Sequence, residues 1–129
     1  MSGLRTLISF VALVVTSTSL PAQPTTAPDP AHLFATCTGR LSAWMEHQWM
    51  FDGPGSEHTA RQRDQMIGLL GAVTPPGKGR EILHLRVDAK MALASLLTRA
   101  TFSDDTREAR RASKMVQIRL SECTGLLLS

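Results

Sequence analysis

Tyrosine is absent from this chain of 129 residues, and phenylalanine and tryptophan together make up only 5% of it. β-Branched aliphatic residues are also few. Strands draw on Val, Ile, Tyr, Phe and Trp, so this scarcity argues against an all-β sandwich or barrel. Charge of one sign is missing as well. Fourteen basic residues face 11 acidic ones, a formal +3, while 43% of residues are apolar. That balance excludes a disordered polycation and leaves enough apolar material for one core. A chain of this length is at most one domain.

Several chemical signatures are missing too. No Cys-x-x-Cys-His occurs, as covalent haem attachment would need. No serine stands in a Gly-x-Ser-x-Gly turn, and nothing in the spacing of Glu46, Asp52, Asp64, Asp88 and Asp104 forces two carboxylates together. The composition therefore points away from an enzyme.

What is present begins with residues 1–23, which read as a secretory signal peptide. Arg5 supplies the positive region, Leu7 to Val15 the apolar core, and Thr16 to Gln23 a polar, small-residue stretch, with Ala22 the best last residue before cleavage. Leu20 departs from the small residue usual at −3, and no cysteine stands where a lipid anchor would need one. The apolar run is far shorter than the roughly 20 residues of a spanning helix. Its removal takes Arg5 from the bases and nothing from the acids, lowering the net charge from +3 to +2. The reading is a periplasmic or secreted protein with no transmembrane segment after cleavage. In that compartment two cysteines are expected to pair. A Cys37–Cys123 bridge would contribute up to about 4.6 kcal/mol in the chain-entropy picture.

Residues 24–29 are a proline-rich extended linker, and residues 30–129 the folded unit. Asp29-Pro30 predicts a capped start for a first helix reaching about Phe51, with Phe34, Cys37, Leu41, Trp44, Met45 and Gln48 on its apolar face. Asp52-Gly-Pro-Gly55 reads as a break. A second helix is expected from Ser56 or Thr59 to Val73, burying Met66, Ile67, Leu70 and Val73. The third spans about Arg80 to Ala100 (Ile82, Leu85, Ala89, Leu93, Leu96, Ala100), and the fourth Asp104 to Leu127 (Ala109, Ala112, Val116, Leu120, Cys123, Leu127). Short connections favour an all-α, four-helix up-down-up-down bundle closed by one disulfide. Up-down order puts Cys37 and Cys123 at one end and on facing stripes. Of the five aromatic residues beyond position 23, Phe34, Trp44, Trp49 and Phe51 fall on the first helix, which is therefore expected to anchor the packing.

Metal and cofactor readings fare poorly. Glu81-x-x-His84 has the spacing of di-iron bundle sites, but the motif has no second copy and its two residues lie off the apolar face. His84 with Asp88 reads as a surface pair. Met45, His47 and Met50 have chemistry suited to copper, yet Met45 falls on the core side and the other two roughly 140° or more away at ~100° per residue. No cofactor is expected.

Two surfaces remain. Leu83, Val87 and Met91 form a second apolar strip on the third helix, and Trp49, Phe51 and Phe102 gather at one end of the bundle. Both are candidate interaction surfaces for a protein partner, including a second copy. Arg107, Arg110, Arg111 and Lys114 form a basic stripe opposite Ala109–Val116, suited to an anionic partner or to plain solvation. Nucleic acid is not expected, because no aromatic residues interleave with these bases. Gln48 and Arg63, on core-side faces, predict a polar contact between the first two helices.

The segments Cys37–Trp49 (CTGRLSAWMEHQW), Leu96–Phe102 (LLTRATF) and Cys123–Leu128 (CTGLLL) resemble a family of short, uncharacterised bacterial exported proteins. The resemblance spans most of the chain beyond the signal segment. It implies export and a helical fold, and transfers no site. Together these features lead to a non-enzymatic exported protein acting through a protein–protein surface, with a small-ligand or metal-binding bundle (copper, iron or haem) as the alternative.

Overall fold

Three of the four helices begin where an aspartate supplies a side-chain acceptor for amides that lack a partner in the preceding turn; the third, which follows Lys78, has no such cap. The computed structural model describes residues 28–127, and all regular structure among them is helical: α1 (Pro30–Gln48), α2 (Gly53–Val73), α3 (Gly79–Phe102) and α4 (Thr106–Thr124). The signal segment 1–23, linker residues 24–27 and Leu128 lie outside the described residues.

Asp29 Oδ1 accepts from the Ala31 amide at 3.0 Å, with Pro30 in the first turn where no N–H is needed. Asp105 Oδ1 accepts from the amides of Arg107 (2.8 Å) and Glu108 (3.3 Å). The Asp52-Gly-Pro-Gly55 segment corrects the sequence reading. It does not separate α2 from α1 but opens α2: Asp52 Oδ1 accepts from the Gly55 amide at 3.0 Å, and Pro54 falls in the first turn. A dipeptide that breaks a helix interior is compatible with a helix start, because the first-turn amides have no earlier carbonyl to bond. Between α2 and α3, the Pro75 carbonyl accepts from the Lys78 amide at 3.2 Å, and Gly77 adopts φ 81°, the left-handed value a type II turn requires of its third residue.

α1 anchors the packing. It contributes to each of three buried clusters, and nine of its 19 residues are buried. Ala31 and Ala35 meet Leu70 of α2 and Ile82 of α3. Cys37 and Leu41 meet Met66 and Cys123, while Ala43 meets Leu93, Leu97 and Val116. α2 makes its extensive contacts with α1, and α4 lies mainly on α3. α1 and α3 come closest at Gly39. A β-carbon there would collide with the Arg86 carbonyl oxygen and stand 3.0 Å from the Lys90 amide nitrogen, so only glycine permits this crossing.

The Cys37–Cys123 disulfide is present, both residues fully buried and their Cα atoms 5.3 Å apart. Three pairings of an acidic with a basic side chain join α1 to its neighbours: His32–Glu81 (3.1 Å), Glu46–Lys90 (2.6 Å) and Arg40–Glu122 (2.7 Å). Solvent screens pairs with exposed carboxylates, so they set register more than stability. Two apolar residues assigned to the buried face of α2 are not buried. Ile67 and Val73 flank the line through Met66 and Leu70 and are each 38% exposed, because α2 has one extensive neighbour rather than two.

Candidate functional site

Leu83, Val87 and Met91 recur every fourth residue, which at ~100° per residue holds them within one flank of α3. The faces toward α1 (Ile82, Leu93, Leu97) and α4 (Leu96, Arg99) lie elsewhere around the helix. The three side chains are 56%, 48% and 62% exposed. They form a strip of large apolar groups outside all three buried clusters.

Of the aromatic residues assigned to one end, Phe51 meets the His47 ring, Phe102 shares a cleft with it, and Trp49 stands apart. His47 lies between two rings of its own helix and the turn that follows. Trp44 stacks on it with centroids 5.7 Å apart, and Phe51 meets it at 5.0 Å. The ends of α1 and α3 adjoin here, since the His47 Nε2 atom lies 3.4 Å from the Thr101 hydroxyl. Two open clefts share this imidazole. One, of about 280 Å³, is lined by Trp44, His47, Gln48, Phe51, Asp52 and Thr101. The other, of about 190 Å³, includes Glu46, Met50, Leu97 and Phe102. Partial burial holds the His47 pKa below its ordinary value, which favours the neutral ring. Trp49 makes no ring contact and stands open at the same turn.

A polar contact joins α1 to α2 at the base of the first cleft. The Thr59 hydroxyl donates to Gln48 Oε1 at 2.6 Å, with both residues buried. The sequence pointed to Gln48 and Arg63. Gln48 instead takes Thr59, while the Arg63 guanidinium lies 3.2 Å from Met45 Sδ and pairs with Asp64 at 2.8 Å. Thr59, read as a helix start, sits inside α2.

The metal-directed residues do not assemble. Met45 is buried beside Arg63, whereas His47 and Met50 line the smaller cleft. Glu81 is held by Lys78 at 2.7 Å and His32 at 3.1 Å. The Lys78 hydrogen bond and then the His32 hydrogen bond keep its carboxyl below the ordinary range. His84 and Asp88 are exposed and unpaired among the described residues, which corrects the expected surface pair; the local ion pair at the start of α3 is Lys78–Glu81. Among the described residues no three His, Cys, Asp or Glu side chains converge as a metal would require.

Arg107, Arg110, Arg111 and Lys114 are all exposed, and none has an ion-pair partner among the described residues. They divide between two sides of α4. Arg110 and Lys114 border an open groove of about 710 Å³ with Ser103, Thr106 and Ser113, while Arg111 borders one of about 480 Å³ with Arg99, Asp105 and Glu108. No described helix is long and apolar enough to cross a membrane.

Trp44, His47, Gln48 and Phe51 follow three- and four-residue spacing, so a column was present in the sequence. Thr101 and Asp52 carry no such signal, because they join the cleft only through the register of α3 and the cap of α2. Compared with known proteins, the chain matches no family model, no curated protein and no solved structure.

Proposed function

We propose that this chain is a non-enzymatic exported protein of the cell envelope or the medium, acting through a protein–protein surface on α3, with a second copy of itself as partner. The observation that carries the reading is the strip Leu83, Val87, Met91, three large apolar side chains about half or more exposed in one line. A small domain covers such a strip by packing it against another surface. Export rests on the composition of residues 1–23, and is supported by a buried disulfide, a bond that persists in oxidising compartments. The reading includes an up-down-up-down course of the helices. Three kinds of contact support it: Gln48 near the end of α1 against Thr59 early in α2, His32 and Thr101 pairing the starts and ends of α1 and α3, and Arg40 against Glu122 near the end of α4.

Sedimentation velocity over a range of concentrations tests the surface. The expected result is a reversible dimer that Val87→Glu abolishes while leaving helicity and thermal unfolding of the monomer unchanged. A parent protein that stays monomeric throughout the range would overturn the assignment.

A further inference from the structure

We propose that the larger cleft at His47 binds a small organic cation, an alkyl-substituted ammonium group. Aromatic faces carry the negative part of the ring quadrupole and attract a cation lying over them. Here two such rings, Trp44 and Phe51, line one cleft on either side of the His47 imidazole, and Trp is the strongest side chain for this contact. A bare, strongly hydrated ammonium gains little from such walls. One dressed in methyl or methylene groups also buries apolar area against them.

The polar groups on the rim have the matching sign. Asp52 uses one carboxylate oxygen, Oδ1, to cap α2 through the Gly55 amide, and its other oxygen, which lies over Gly55, has no hydrogen-bond partner among the described residues. No lysine or arginine lines the cleft. Partial burial disfavours the charged form of His47, which limits competing positive charge in the cleft. Gln48 is held in one orientation by the Thr59 hydroxyl, so the wall is fixed before any ligand arrives. The volume, about 280 Å³, lies just below the ~300–1,000 Å³ of pockets for drug-sized ligands, which sets the occupant's size. An anion is disfavoured by both the ring faces and Asp52, and a neutral apolar molecule would leave that carboxylate unanswered.

The test uses the full chain carrying Trp49→Phe, so that Trp44 alone reports by fluorescence. Choline chloride is titrated against 3,3-dimethylbutan-1-ol, the same shape with carbon in place of the charged nitrogen. The expected result is a saturable Trp44 response to choline, with the neutral compound weaker by about tenfold. Asp52→Asn keeps an oxygen for the α2 cap and removes the charge, and should weaken choline by a similar factor. Phe51→Leu, on an exposed ring, should weaken it too and serves if the first variant disturbs the helix. No saturable response, equal binding of the neutral compound, or folded variants that bind as the parent does would each overturn the proposal.

Discussion

Thr59 carries a hydroxyl into a contact from which water is excluded, and it donates to a glutamine carbonyl 2.6 Å away. Replacing it with valine keeps the shape and removes the donor, leaving Gln48 Oε1 buried without a partner. That costs about 1–3 kcal/mol, more than the net worth of the bond itself, because the acceptor has lost both water and protein. Urea denaturation of Thr59→Val should show a loss in this range, and Thr59→Ser, which keeps the hydroxyl, a smaller one. A loss equal in both variants would mean that the methyl group rather than the bond holds this point. Residue-scale roles differed in how far the sequence revealed them. Cys37 and Cys123 were legible because compartment, spacing and helical face all agreed. Gly39 was not, because its role exists only against the Arg86 carbonyl of another helix. Thr59 looked like a cap because threonine at a helix start is common. Only the position of Asp52, about two turns earlier, removes that reading.

Among the elements, α2 stands apart. Four of its 21 residues are buried, against nine of 19 in α1, and its one extensive neighbour is α1. Opening α2 exposes Met66 and Leu70 and leaves most of the α1–α3–α4 packing in place, so its local opening free energy should be lower than that of α1. Hydrogen exchange followed by mass spectrometry should find the amides of 60–73 exchanging well before those of 35–45. Equal protection in the two segments would show that α2 opens only with the whole molecule. The helices were legible because apolar spacing and Asp-Pro or Asp-Asp starts are local signals. The boundary at Gly53 was misread because the same Gly-Pro pair serves inside a helix as a breaker and at its first turn as a starter. The exposure of Ile67 and Val73 was out of reach for a different reason. Periodicity gives the side of a helix that is apolar, but not how many neighbours arrive to cover it.

At the scale of the molecule, a folded unit of about 100 residues holds a modest core, and the disulfide spans most of it. Cys37 and Cys123 are 86 residues apart in sequence. Replacing both with serine removes a constraint on the unfolded chain and should lower stability by about 2–5 kcal/mol, read by thermal or urea unfolding. Unfolded in urea without reductant, the wild-type chain should be alkylated at neither cysteine, whereas labelling of both would refute the bridge. The bridge has a further consequence for a chain exposed to proteases. It closes residues 37–123 into a covalent ring that includes the exposed Pro75–Lys78 turn, the most accessible stretch of backbone between α2 and α3. A single cut there opens the ring without releasing a fragment. The nicked molecule is two polypeptides joined at sulfur, with Cys37 and its packing against Leu41 and Met66 on one and Cys123 on the other.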